Sequence, residues 1–240
     1  MPGTRLAGAE RVPRLAHRAY LRAATGVRSS PLVYRLVFGH WPARGLRRQL
    51  WDWTTLALAE ALRSHVRPGT SVLDVGTGPT GVLAIYARHR LRCGRACGVD
   101  HLPDLLPSAV ETAARCGAPV EFFAASLFTG VSGRWDLIAF NAPYIPVDAG
   151  RRLGVVHDES TERRYTGGPT GMATIERFLR QAPGHLAPGG HILLGVNHFY
   201  VTPPVVREAV EHARLREVGT VRHRLTHACA YVLQPRDASR

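Results

Sequence analysis

The chain has 240 residues, enough for one α/β core with a modest extension, and its 45% hydrophobic and 20% charged content describes a chain most of which folds. Its 31 basic residues are all arginine and outweigh 18 acids, for a formal charge of +13. That balance favours RNA or a ribosomal surface as a partner, with compositional bias and no polyanion partner as the bland alternative. Cysteines 93, 97, 116 and 229 lack metal-ligand spacing. No stretch approaches the roughly 20 apolar residues that span a bilayer. A reduced, cytoplasmic protein with no metal and no membrane partner is the expectation.

The charge is uneven. Residues 1–50 carry ten arginines against the single acid Glu10, a net +9. With spaced apolar positions such as Leu6, Val12, Leu15 and Tyr20, residues 1–49 read as a short basic, mainly helical extension, and 50–240 as the main domain. Leu32 to Phe38 fits either a helix turn or a short strand, and His40 to Gly45 a turn. Asp52 to His65 has helical apolar spacing and basic residues in its last turn, which suit the helix dipole.

SVLDVGTGPTGVLAIYA, Ser71 to Ala87, reads as a buried strand, a glycine loop and a helix start. Gly76 and Gly78 stand where a side chain would keep a ligand off the backbone, and N–H groups at the helix start can face a polar or anionic group. Asp74 is the one acid in the strand. A second short strand, residues 95 to 99, runs into Asp100. In a doubly wound sheet that acid shares the glycine loop's crevice, and its carboxylate suits a vicinal diol such as a ribose. The pair suggests a nucleoside-containing cofactor. The remaining units are a helix from Leu102 to Ala114, a strand from Val120 to Ala124, a strand from Asp136 to Phe140 running into Asn141-Ala142-Pro143-Tyr144, and a long loop over 147–170. A helix from Met172 to Leu186, a strand from His191 to Val196, a helix from Val205 to Ala213 and two terminal strands complete the chain, the last antiparallel.

Taken together, VLDVGTGPTG, GVDHLPDLLPSAVETA, DLIAFNAPYIP, YTGGPTGM and LAPGGHILL resemble class I S-adenosylmethionine-dependent methyltransferases. Within that class the chain is most similar to the peptide chain release factor glutamine N5-methyltransferases, whose catalytic tetrapeptide is Asn-Pro-Pro-Tyr. The resemblance covers Leu73 to Leu194. It implies a Rossmann-like, doubly wound seven-stranded sheet with an antiparallel terminal strand, and S-adenosylmethionine as cofactor. Cofactor contacts are expected from Asp74, Gly76, Thr77, Gly78, Asp100, His101, Ser126, Leu127 and Asn141. Ser126 stands where the family has an aspartate that contacts the adenine amino group. A hydroxyl still accepts a hydrogen bond there, without the charge.

The catalytic candidates are Asn141, Ala142, Pro143 and Tyr144. The Asn141 side-chain oxygen and the carbonyl of Ala142 are the acceptors for a substrate nitrogen, and Pro143 biases Ala142 away from the α region. Ala142 lacks the φ restriction of the family's first proline. Tyr144, Trp53 and Glu159 are the substrate-binding candidates, with core packing as the competing role for Trp53. Four functions stay open: methylation of a protein glutamine side chain, a small-molecule N-methyltransferase, an RNA or DNA amino methyltransferase, and a noncatalytic binding protein on the same fold. The short extension and the Asn-Ala-Pro-Tyr variant stand against a release-factor substrate.

Overall fold

The computed structural model describes residues 24–46, 50–223 and 226–236. The helical arm expected before residue 24 lies outside the described residues. Strands β1 (Ser71–Val75), β2 (Arg95–Asp100), β3 (Glu121–Ala124), β4 (Trp135–Asn141), β5 (Leu186–Asn197), β6 (Leu215–His223) and β7 (Ala228–Pro235) form one sheet in the order β3-β2-β1-β4-β5-β7-β6. The pairs β1–β2, β1–β4, β2–β3 and β4–β5 are parallel, whereas β7 runs antiparallel to both β5 and β6. The expected doubly wound, seven-stranded sheet with an antiparallel last strand is the observed one. Chain order reverses between β1 and β4, and the crevice outside their carboxyl ends is where such sheets bind ligands.

Strands β1, β2, β4, β5 and β7 are largely buried because helices cover both faces of the sheet, whereas β3 and β6 at its edges are more exposed. Helix α1 (Pro31–Phe38) resolves the open reading of that segment. Ser30 caps it by accepting the Val33 N–H at 3.4 Å, Pro31 occupies the first turn, and Gly39 ends it at φ 84°. Its Tyr34 and Phe38 are buried in one core cluster with Leu50, Trp51 and the next helix, α2 (Trp53–His65). Tyr34, Phe38 and Leu50 of the expected extension and its border are therefore built into the same core as the main domain. Helix α2 packs over β5 and β7.

Helix α3 (Val82–Ile85) follows the glycine loop and continues as a π-helical turn, Tyr86–Arg90. Helix α4 (Leu106–Arg115) joins β2 to β3. The stretch expected as a long loop over 147–170 contains two short helices, α5 (Val147–Leu153) and α6 (Glu159–Tyr165). Asp158 starts α6 through a capping box with Thr161, and an Arg151–Glu162 ion pair at 2.8 Å ties the two helices together. Helices α7 (Ala173–Gln181) and α8 (Pro203–His212) complete the layer that buries Ile175, Phe178, Leu179 and Val206.

Candidate functional site

A cavity of about 860 Å³ opens at the carboxyl ends of β1, β2 and β4. Its wall includes Asp74, Gly76, Thr77, Gly78, Asp100, His101, Ser126, Leu127, Asn141, Ala142, Pro143, Tyr144 and Trp53. All the sequence-derived site residues but one are thus brought together. Glu159 does not line the cavity: its side chain is 85% exposed and faces Arg163 at 4.0 Å, one helical turn on. Residues of α6 do reach the wall, but through Arg163, Arg164 and Tyr165.

The glycine loop is shaped for close approach. Gly78 adopts φ +64°, and a Cβ there would meet no atom within 4 Å, so its backbone faces open space. Asp74, below the loop, accepts the Thr77 hydroxyl at 2.6 Å and the Ala84 N–H at 3.4 Å. Burial pushes its carboxyl up to about 7 despite these bonds, with the nearby charge of Asp100 adding to the rise.

Asp100 is held differently. Burial works against its charge, but His101 and the N–H groups of Leu102 and Gly78 overcome that and keep its carboxyl below the usual range. Oδ2 accepts from Gly78 at 2.9 Å and Oδ1 from Leu102 at 3.0 Å, while His101 Nδ1 lies 3.5 Å from Oδ1. The remaining lone pairs of this ionised carboxylate are available to a ligand diol. Beyond β3, Ser126 is exposed, and Leu127 holds φ +54°, a conformation few non-glycine residues adopt. An oriented diol acceptor, an open backbone cradle and a strained turn fit a nucleoside ligand.

At the end of β4, Asn141 Nδ2 donates toward Asp52 Oδ1 at 3.2 Å and Thr55 Oγ1 at 3.3 Å. Asn141 Oδ1 is buried and has no partner. Flipping the amide would set that oxygen against the Asp52 carboxylate, so the network fixes which side-chain atom is the free acceptor. Asp52 is itself anchored as the N-cap of α2, accepting the Thr55 N–H at 2.7 Å and the Thr55 hydroxyl at 2.9 Å. Sequence reading used Asp52 only to start a helix. The Asp-x-x-Thr capping pattern was the visible sign, but its reach to residue 141 is a tertiary fact.

The Tyr144 hydroxyl lies 3.1 Å from Thr54 Oγ1 and donates to Asp52 Oδ2 at 3.5 Å. Burial, then the charge of Asp52, hold this phenol well above its ordinary range, so it stays neutral. The Trp53 ring meets the buried Trp51 edge-on at 5.3 Å while lining the cavity, and so serves both packing and wall.

The tetrapeptide is clamped from two sides. The Ala142 N–H donates to Gly195 O at 3.2 Å on β5. On the other side, Ile145 N–H donates to Tyr165 O at 3.2 Å and Gly167 N–H to Ile145 O at 3.1 Å. A Cβ on Gly167 would overlap the Pro143 carbonyl, and one on Gly171, at φ +81°, would overlap the Tyr144 carbonyl. The glycines of YTGGPTGM are what lets this segment lie against the tetrapeptide. Among the described residues no cluster of three metal-ligating side chains occurs, the four cysteines are free, and no helix is long and apolar enough to cross a membrane.

This arrangement is the class I methyltransferase fold with a site at its switch point. A solved methyltransferase from Pyrococcus furiosus superposes with a TM-score of 0.62 over 92% of this chain and 96% of that one, at 18% identity. In sequence the chain is similar to a release factor glutamine methyltransferase of Deinococcus radiodurans, 35% identical over 146 residues, 60% of this chain and 50% of the relative. It is also similar to a ribosomal protein uL3 glutamine methyltransferase of Xanthomonas campestris, 35% identical over 132 residues, 54% of this chain and 42% of the relative. The chain thus spans about half the length or less of these two relatives. No family model matches it. In fold the chain matches class I methyltransferases, and in sequence it is similar to protein glutamine methyltransferases over about half of their length or less.

Proposed function

We propose that the chain transfers a methyl group from S-adenosylmethionine to the side-chain nitrogen of a protein glutamine. The observation that carries this reading is the buried, unpartnered Oδ1 of Asn141, held in the wall of the same cavity as the glycine loop and Asp100. A buried acceptor without a donor costs free energy, and a substrate N–H that satisfies it recovers that cost. The names of the two relatives, one for release factors and one for a ribosomal protein, support a protein glutamine as acceptor.

When bound, S-adenosylmethionine supplies an electrophilic methyl carbon on a sulfonium sulfur. The residues of this chain have to prepare the nitrogen. Asp100 and the Gly76–Gly78 backbone hold the nucleoside end, with Ser126 and Leu127 at the base. An amide nitrogen is a poor nucleophile because its lone pair is delocalised into the carbonyl. Asn141 Oδ1 accepts one of its N–H bonds and the Ala142 carbonyl the other, which aims the lone pair and offsets the positive charge that grows on nitrogen as the N–C bond forms and the C–S bond breaks. The C–S bonding pair stays on sulfur, giving a neutral thioether, and the methylated nitrogen passes its surplus proton to water as the product leaves. Tyr144, neutral and buried, walls the reacting groups from water and offers its ring face to the planar amide.

Arg163, Arg164 and Arg177 also line the cavity. They favour an acceptor within an anionic macromolecule, which makes RNA the informative control. The test is transfer of radiolabelled methyl into the separated protein, RNA and metabolite fractions of a cell extract. Label in protein, lost on treatment that cleaves methylglutamine, is the expected result. Label confined to RNA or metabolites overturns the acceptor class, and no label despite cofactor uptake overturns catalysis.

A further inference from the structure

One charged group in the cavity is not used by this chemistry. Arg28 belongs to the helical turn at residues 24–28 and is only 6% exposed, yet it lines the cavity. Its Nε donates to the carbonyl of Ala24 at 3.2 Å, and its buried Nη2 has no partner. Among the described residues no carboxylate lies within ion-pairing distance of it. A guanidinium taken out of water without a counter-charge is costly, and a fold keeps one where an anion arrives to pair with it.

The position of Arg28 says which anion. Its carbonyl accepts the Leu50 N–H at 2.9 Å, and the Leu50 carbonyl in turn accepts the hydroxyl of Thr80, just past the glycine loop, at 3.3 Å. Asp100 and Ser126 follow β2 and β3, on one side of β1. Trp51 and Asp52 lead into α2, which packs over β5 and β7 on the other side of β1, and the Leu50 N–H ties Arg28 to that segment. A ligand whose nucleoside lies against Asp100 and whose reacting centre faces Asn141 has its far end directed toward Arg28. In S-adenosylmethionine that end is an amino acid bearing a carboxylate.

We infer that Arg28 binds the carboxylate of the cofactor's amino-acid end through a charge-assisted hydrogen bond from its unpartnered Nη2. This rests on the reading of the cavity as an S-adenosylmethionine site and adds to it a residue from outside the methyltransferase motifs. It also makes the segment ahead of α2 part of the binding site.

The test is calorimetric titration with two probes, S-adenosylhomocysteine, which carries the carboxylate, and methylthioadenosine, which lacks the whole amino-acid end. Arg28→Met should weaken S-adenosylhomocysteine by about ten-fold or more, the scale of one lost charge-assisted pair, and leave methylthioadenosine within about two-fold. Arg28→Lys should recover part of the loss. Thermal unfolding of each variant shows whether the fold is intact. Equal weakening of both probes assigns Arg28 a structural role and overturns the inference. An unchanged S-adenosylhomocysteine affinity also overturns it, and directs Arg28 to an anion on the acceptor. If the unaltered chain binds neither probe, the cofactor reading itself fails, and the inference with it.

Discussion

Asn141 Nδ2 lies 3.2 Å from Asp52 Oδ1, and this contact fixes the amide's orientation and leaves its buried oxygen as the free acceptor. Asn141→Ala removes that acceptor. Turnover should fall by roughly 10²- to 10³-fold, as when one preorganised hydrogen-bond partner is lost, while S-adenosylhomocysteine affinity stays within about three-fold. Asp52→Asn is the subtler test, because asparagine caps a helix about as well as aspartate but no longer offers the Asn141 amide a charged acceptor. Stability should hold to within about 1 kcal/mol, with kcat reduced about ten-fold and the cofactor affinity unchanged. Normal kcat in Asp52→Asn would remove Asp52 from the positioning role.

Gly171→Ala tests the clamp on the tetrapeptide. The new Cβ meets the Tyr144 carbonyl, and φ +81° is strained for alanine. Gly133 has a similar φ of +76° but open space around it, so Gly133→Ala carries only the backbone strain of about 1–2 kcal/mol. Differential scanning calorimetry should show a larger drop in Tm for Gly171→Ala than for Gly133→Ala, with turnover lost only in the former.

The buried Asp74 makes a pH prediction. Its carboxyl titrates at about 7 in the folded chain and near 3.9 in the unfolded one. Between about pH 4 and 7 the folded state binds the extra proton, so this group's effect on stability is favourable at low pH and is lost as pH rises through 7. Asp74→Asn keeps an oxygen for the Thr77 hydroxyl and removes the titration. The Tm difference, variant minus parent, should therefore increase with pH from 4 to 7 and level off above. His40, pushed down to about 4 by burial, titrates in both proteins and cancels from the difference. A flat difference curve would show that Asp74 is ionised throughout.

Asp100→Ala should weaken S-adenosylhomocysteine by roughly ten- to a hundred-fold, since two charge-assisted bonds to a diol are lost. The Gly78 and Leu102 N–H groups also lose their acceptor. Titration with adenine alone separates the effects. It should be weakened far less, and equal losses for both would mean the glycine loop has collapsed.

The sheet was legible because its strands are short apolar runs, and their ends at Val75, Asp100 and Asn141 carry the residues that converge. Periodicity placed those ends, and the sheet's topology did the rest. Helices α5 and α6 were missed because each is seven residues long, too short for an apolar period to repeat, and Glu159 was assigned to the pocket on that loop reading. Asp52 and Arg28 were illegible as site residues for another reason. Asp52 lies 89 positions from Asn141, which it contacts, and local pattern carries no record of such an encounter. Arg28 was one arginine among ten in a basic stretch.

Because the glycines at 167 and 171 lie flush against the carbonyls of Pro143 and Tyr144, the two segments cannot diverge independently. Grafting a foreign tetrapeptide into this scaffold to retarget it would have to bring along its companion glycine stretch, and mutational libraries that vary one while freezing the other would sample mostly broken active sites.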